Sequence, residues 1–150
     1  MRPRIFSKLE VEEKHFIIWN AFIDLIGLGK YDDLTDVQRP AHLVFLYESE
    51  VQNGGHLQYF ENKRLRYLPE TLVALGTLGA ESQRLILREA SEAFLSRERQ
   101  RIQTVEQYCE TALEGEFHDL DSRFYRCTPS LEECLKAYLA RHQSSFVTIV

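Results

Sequence analysis

The stretch EVQNGGHLQYFEN, residues 50–62, places two adjacent glycines between two segments with helical character. The preceding segment AHLVFLYESEV is apolar nearly all round in its first half, which is typical of a helix buried on most sides. Gly54 can adopt the left-handed conformation that ends a helix, and Asn53 tolerates it as well. Gly55 then allows two helix ends to approach closely. The stretch therefore predicts a joint between a buried helix and a short one.

The remaining side chains of this stretch suit a structural joint. Glu50 lies one turn before the glycines, while Gln58 and Asn62 are four residues apart on the following segment. A broken helix leaves amides and carbonyls without partners, and these polar groups could bond them. Tyr59 and Phe60 would anchor the joint in the core. We predict that the stretch has a structural role.

Helical periodicity dominates the rest of the chain. Ser7 with Glu10, and Ser130 with Glu133, have the spacing of capping boxes, in which each side chain bonds a backbone amide at a helix start. Alternation of period two is absent, and only the C-terminal FVTIV resembles a strand. Without a repeat or a linker, the sequence predicts one all-α domain over residues 1–150, with six to seven helices and a short extended tail.

Composition narrows the class of protein. The formal net charge is −5, which disfavours direct nucleic-acid binding because phosphate contacts need a dense basic face. No apolar run is long enough for a transmembrane helix, and the first residues lack the features of a signal peptide. The odd count of cysteines (Cys109, Cys127 and Cys134) favours buried free thiols in a reducing compartment. We expect a cytoplasmic protein, of bacterial origin, with no membrane partner.

Catalytic and cofactor motifs are missing from the sequence. A phosphate-binding loop places its glycines between a strand and a helix, whereas a helix precedes the double glycine here. Glu48 and Glu50 point to different sides of a helix, so they cannot both join His56 around one metal ion without distortion. We expect no cofactor, no metal and no catalytic residues. The alternative is an enzyme or small-ligand-binding protein with a polar pocket around Glu50, Asn53, His56 and Gln58.

Charge is concentrated between residues 102 and 122, which carry six acids and no lysine or arginine. Glu106, Glu110 and Glu114 repeat every four residues, so their carboxylates lie about 6 Å apart on one helical face. Two interpretations are open. The carboxylates form a solvated face that pairs with arginines of the same chain, namely Arg97, Arg99 and Arg101, or they form a docking surface for a basic partner. The predicted partner-binding residues are Glu106, Glu110, Glu114, Glu116, Asp119 and Asp121.

Residues 50–62 also resemble the signature E-x-x-N-G-G-x-x-Q-[FY]-F-x-N of the DNA-mimic-protein-19-like family, whose function is not assigned in general. The segments LVFLYESE, LVALGTLGAE, ILREASEAF and HDLDSRFYR add to the resemblance, which covers roughly residues 36–127. The matching positions are Glu50, Asn53, Gly54, Gly55, Gln58, Tyr59, Phe60 and Asn62.

The resemblance implies an all-helical fold without assigned catalytic residues. It also implies the family's namesake activity, in which an acidic protein surface occupies a DNA-binding protein, often as a dimer, and some relatives belong to toxin-immunity or bacterial defence systems. We therefore expect a non-enzymatic interaction protein that binds a basic partner, such as a DNA-binding protein or a toxin, as a DNA mimic or immunity-type inhibitor. A third hypothesis is self-association, including a homodimer, through Arg97–Arg101 against the acidic stripe of another copy.

Overall fold

The computed structural model describes residues 1–150, and most of the chain is helical. Two short 3-10 helices (Tyr31–Asp33 and Gln143–Ser145) and two strands, β1 (Arg4–Phe6) and β2 (Val147–Ile149), complete the fold. The prediction of an all-α fold is confirmed. The helices number eight: α1 (Lys8–Glu13), α2 (Ile17–Leu28), α3 (Gln38–Lys63), α4 (Leu68–Thr77), α5 (Glu81–Leu95), α6 (Val105–Leu113), α7 (His118–Tyr125) and α8 (Leu131–His142).

The segment that follows the capping box at Ser7 forms two helices, α1 and α2, which is one reason for the larger helix count. The backbone leaves helical geometry at Lys14, with φ −132° and ψ 76°. α1 buries no residue, whereas α2 buries four, among them Phe22 and Ile26. The chain bends between them because only the second segment carries an apolar face for the core.

The two ends of the chain meet in a small parallel sheet. β1 pairs with β2 in a register that places Ile5 opposite Thr148. The Val150 amide donates to the Phe6 carbonyl at 2.9 Å, which extends this pairing to the C-terminal residue. FVTIV forms a strand as its composition indicates, but its partner RIF was not foreseen because no periodicity shows in three residues.

The bent helix α3 lies at the centre of the fold. It packs against α2, α4, α7 and α8. Its first half buries Val44, Tyr47 and Val51 completely, and its second half buries Phe60 completely. Each such large apolar side chain contributes about 1.5–3 kcal/mol to folding when it leaves water. Burial on nearly all sides explains why this helix is apolar around most of its circumference.

Three helices begin with a capping box. The two predicted boxes, at Ser7 with Glu10 and at Ser130 with Glu133, are both present. A third, in which Thr104 and Gln107 exchange bonds at the start of α6, follows the same spacing and was missed. None of the eight helices combines the length and apolarity needed to cross a membrane.

One half-buried acid gives the fold a pH-dependent stability. Burial, together with repulsion from Glu132 on α8, raises the pKa of Glu48 on α3 from 4.5 to about 7. An acid whose pKa is higher in the folded state destabilises that state as the pH rises from 4.5 toward 7, because the unfolded chain releases its proton first.

Glu48→Gln should therefore stabilise the protein at alkaline pH. Glutamine keeps an acceptor for the amide of Gln52, which donates to Glu48 at 3.1 Å. We expect the variant and the wild type to have the same free energy of unfolding near pH 4, and the variant to gain about 1–2 kcal/mol near pH 8. This gain is smaller than the free energy that corresponds to the full pKa shift, because solvent reaches part of the side chain. Urea unfolding at both pH values measures this, with exposed Glu12→Gln as the control. Equal stability of wild type and Glu48→Gln at alkaline pH would contradict it.

Candidate functional site

The double glycine interrupts α3. Gly54 has φ −155° and ψ 23°, and Gly55 has φ 69° and ψ −171°, so the backbone leaves helical geometry at both glycines and returns to it at His56. The φ of Gly55 lies in the left-handed region, which residues with a Cβ avoid. The break divides α3 into residues 38–53 and residues 56–63.

A carboxylate from α7 occupies the space beside the break. Asp121 Oδ1 accepts hydrogen bonds from the His56 backbone amide at 2.9 Å and from His56 Nδ1 at 2.6 Å. The first bond satisfies an amide at the start of the second helical half, where a negative charge is also favoured by the helix dipole. A Cβ on Gly55 would lie 2.9 Å from Asp121 Cγ, closer than packing allows. Gly55 is therefore required for its conformation and for its lack of a side chain.

The ring of His56 connects Asp121 to the core. His56 is fully buried, and its Nε2 lies 2.7 Å from the hydroxyl of Tyr47. Burial raises the pKa of Tyr47 well above its usual value, so the hydroxyl stays protonated and donates to Nε2. Nδ1 carries the proton that Asp121 accepts, because an ionised carboxylate has no donor. Both ring nitrogens are engaged, and none is open to a ligand.

The remaining polar residues of the signature bond one another across the break. Asn53 donates to Gln58 Oε1 at 3.1 Å, and Gln58 in turn donates to Glu50 Oε2 at 2.9 Å. Asn62 donates to the same oxygen at 2.8 Å, and Lys63 lies 3.6 Å from the other carboxylate oxygen. Glu50 thus joins the helix before the glycines to the helix after them. We call these five residues the signature network.

Two tyrosines from other helices bond the carbonyls released by the break. Tyr108 of α6 donates to the Gly54 carbonyl at 3.3 Å. Tyr125, the last residue of α7, lies 3.3 Å from both the Val51 and the Gln52 carbonyl. Sequence reasoning assigned these carbonyls to the signature's own side chains and missed both tyrosines, because pairing between distant helices leaves no local signal.

Tyr59 and Phe60 of the signature are buried as anchors. Tyr59 is 3% exposed and meets the ring of Tyr47 edge to face, with centroids 5.1 Å apart. Phe60 stacks on Phe94 of α5 at 4.5 Å. Aromatic pairs of this geometry contribute about 0.5–1.5 kcal/mol beyond the area that they bury.

The predicted acidic residues fall into different environments. Glu116 accepts from Arg97 at 3.1 Å and from Arg99 at 2.7 Å. The bond from Arg99 is the main reason why the pKa of Glu116 is lowered. Glu114 lies 3.4 Å from Arg97. Arg99 itself is only 9% exposed in its side chain and donates to the Phe94 carbonyl, so these arginines form pairs inside the same chain.

The two aspartates of α7 differ in orientation. Asp119 is 80% exposed in its side chain and lies 3.6 Å from Arg123, which also pairs with Glu89 at 2.5 Å. Asp121 is 22% exposed and points to the break in α3. A helix turns by about 200° over two residues, so these two carboxylates cannot share a face.

α6 is a largely exposed helix that carries acids. It contains no buried residue, and Glu106 and Glu110 have no ion-pair partner. Val105, Cys109 and Leu113, four residues apart, form an exposed apolar row beside the acidic row. Leu113 is 85% exposed and Val105 is 75% exposed. The expectation of buried free thiols is correct for Cys134, whereas Cys127 is half-buried and Cys109 is exposed.

The alternative polar pocket is only partly assembled. Asn53 and Gln58 border an open groove of about 470 Å³ together with Tyr108 of α6, but Glu50 and His56 do not line it. No three histidine, cysteine, aspartate or glutamate side chains come together in a way that could hold a metal ion.

Comparison with known families identifies the class of protein. The model of the family described as DMP19-like protein matches residues 32–142, a longer span than the roughly 36–127 over which the resemblance is visible. The chain belongs to this family, and the resemblance predicted from the glycine signature is confirmed. No curated protein and no solved structure gives a significant match.

The importance of the contact at Gly55 can be isolated by comparison with Gly79. Both have a positive φ, 69° and 76°, but a Cβ on Gly79 would meet nothing within 4 Å. Gly79→Ala should cost only the conformational term, about 1–2 kcal/mol. Gly55→Ala should cost at least about 2 kcal/mol more, because Asp121 must move and release His56. Chemical unfolding of both variants measures the difference.

A double variant provides the control for this comparison. In the background of Asp121→Ala the obstructing carboxylate is gone, so Gly55→Ala should then cost at least about 2 kcal/mol less than it does in the wild-type background. If Gly55→Ala and Gly79→Ala lower the free energy of unfolding equally in the wild-type background, the position of Asp121 does not depend on the absence of a Cβ at residue 55.

Proposed function

We propose that the protein is a non-enzymatic interaction domain that binds a basic protein partner through an acidic helical surface. The surface is the exposed side of α6, which we call the α6 surface. DNA mimicry or immunity-type inhibition would be its specific form. The α6 surface consists of Val105, Glu106, Cys109, Glu110, Leu113 and Glu114.

The arrangement of α6 carries the proposal. A helix that buries none of its residues yet exposes Val105 and Leu113 keeps apolar surface in water, which is unfavourable unless a partner covers it. Protein interfaces combine an apolar centre with a polar rim, and the apolar row beside the acidic row has this composition.

The negative charge of the α6 surface favours a positively charged partner. Glu106 and Glu110 remain without an intramolecular cation, and Glu114 shares Arg97 with Glu116. Carboxylates of one sign on an exposed face attract a basic surface and steer its approach. Glu116 and Asp119 are paired with arginines of the same chain and add less negative charge to this side of the molecule. Asp121 binds at the break in α3 and does not belong to the surface.

Family membership is consistent with this function. The name of the family refers to an acidic protein that occupies a DNA-binding protein in place of DNA, and the family is not one of known enzymes. The alternative site around Glu50, Asn53, His56 and Gln58 receives less support because His56 is enclosed with both nitrogens bonded. Self-association through Arg97 and Arg99 would have to break their intramolecular pairs first.

Neutralising the acidic row should weaken binding of the partner. The wild-type chain is used to isolate basic proteins from the host, and the affinity of each purified candidate is then measured by calorimetry. The triple variant Glu106→Gln, Glu110→Gln, Glu114→Gln should bind at least about tenfold more weakly, a loss of about 1.4 kcal/mol. Leu113→Ser should also weaken binding, because the apolar row forms part of the interface.

A control with the same change in net charge accompanies the triple variant. Glu12, Glu13 and Glu70 are exposed and lie outside α6, and their replacement by glutamine should leave affinity unchanged. Displacement of the partner by duplex DNA would indicate mimicry, and its absence would indicate another kind of inhibition. If both triple variants bind as tightly as the wild type, the α6 surface is not the binding site. Light scattering at low salt tests the homodimer separately.

A further inference from the structure

A cleft of about 380 Å³ opens between the 3-10 helix at Tyr31–Asp33, both halves of α3 and the start of α4. It is remote in sequence from α6 and shares no residue with the α6 surface. Two members of the signature, Tyr59 and Asn62, line it. The volume falls in the range of clefts that hold small molecules.

Three cations surround this cleft. Lys30, Lys63 and Arg66 line it, and Asp32 is the one carboxylate among the lining residues. Lys63 is held by Glu50 at 3.6 Å, but Lys30 and Arg66 have no acidic partner. Three positive groups converging on one concave site favour an anion with several oxygens, since lysine and arginine are the usual ligands of phosphate.

Two aromatic rings form part of the wall. Tyr31 and Tyr67 stack with centroids 4.1 Å apart, and the guanidinium of Arg66 lies 5.1 Å from the Tyr67 ring. Tyrosine rings at the edge of a cleft provide apolar area for the uncharged part of a ligand while their hydroxyls remain polar.

The loop that carries Arg66 and Tyr67 adopts an unfavourable backbone. Arg64 and Tyr67, with φ 54° and 57°, are the two residues other than glycine with positive φ in the whole chain. Each costs about 1–2 kcal/mol relative to a right-handed conformation. Thr71 stabilises this geometry, since its amide and its hydroxyl both donate to the Tyr67 carbonyl, at 2.8 Å and 2.7 Å. Strain of this kind is often retained where it positions binding groups.

His42 provides a polar group without a protein partner inside the cleft. Its side chain is 5% exposed, and Nδ1 lies 2.6 Å from the Ile26 carbonyl, so Nδ1 carries the proton and donates. Nε2 has no hydrogen-bond partner in the protein and is not fully enclosed, so it faces the opening. Burial lowers the pKa of His42, and the neutral ring presents Nε2 as an acceptor. Nε2 is therefore available to accept a hydrogen bond from a ligand that enters the cleft.

From this geometry we infer that the cleft binds a small phosphorylated organic molecule. Lys30, Lys63 and Arg66 hold the phosphate, and the organic part lies against Tyr31 and Tyr67. A hydroxyl or amine of the ligand donates to His42 Nε2. The site would give the interaction protein a second ligand, and its position is independent of the α6 surface.

Titration of the full chain with simple probes tests the site. The probes are 4-hydroxyphenyl phosphate, inorganic phosphate and 4-hydroxybenzoate, followed in two-dimensional amide NMR spectra. We expect 4-hydroxyphenyl phosphate to shift the amide signals of residues 30–32 and 62–67, and to bind at least about tenfold more tightly than either other probe. No binding, or equal binding of the three probes, would overturn the assignment of a phosphorylated organic ligand.

Matched charge variants distinguish a specific site from general attraction of anions. The double variant Lys30→Gln, Arg66→Gln should bind 4-hydroxyphenyl phosphate at least about tenfold more weakly than the wild type. Lys8→Gln with Arg88→Gln removes the same charge from exposed positions outside the cleft and should leave the affinity unchanged. Equal losses in both double variants would overturn the inference. The circular dichroism spectrum and melting temperature of each variant establish that it is folded. The α6 variants serve as a second control, because they leave this cleft intact and should bind 4-hydroxyphenyl phosphate as the wild type does.

Discussion

The carboxylate of Asp121 binds both the backbone amide and the ring of His56 at the break in α3, and the arrangement of the central helices depends on this contact. It caps the second half of α3, fixes the orientation of the buried imidazole and ties α7 to the core. Hydrogen bonds to a charged group contribute about 1.5–3 kcal/mol each, so the pair offsets the cost of withdrawing the carboxylate from water. Gly55 makes the contact possible because any side chain there would occupy the space of the carboxylate.

The break also separates two surfaces of different chemistry. Tyr108 anchors α6 to the Gly54 carbonyl through the inner side of that helix, and this leaves the acids and the apolar row of α6 facing solvent. Asn62 lies in the second half of α3 and borders both the open groove next to Tyr108 and the basic cleft. The second half of α3 thus lies between the open groove beside Tyr108 and the basic cleft.

Much of the helical architecture can be predicted from local sequence patterns. The capping boxes at Ser7 and Ser130 follow a fixed spacing, and the all-round apolar character of residues 41–47 reflects a central helix. The division between α1 and α2 could not be read in this way, because it depends on which segment reaches the core. The acidic run illustrates the same limit: Glu116, Asp119 and Asp121 are close in sequence, yet each meets a different partner.

The sequence by itself determined the helical class, the position of the break and membership of the DMP19-like protein family, because helix periodicity and glycine conformation are properties of neighbouring residues. Only the tertiary structure decided that Asp121 caps the break, that Tyr108 and Tyr125 bond its free carbonyls, and that Lys30, Arg66 and His42 line one cleft. These contacts join residues separated by tens of positions. Their formation depends on how the helices pack, and packing is set by the shapes of whole apolar faces and not by any local pattern.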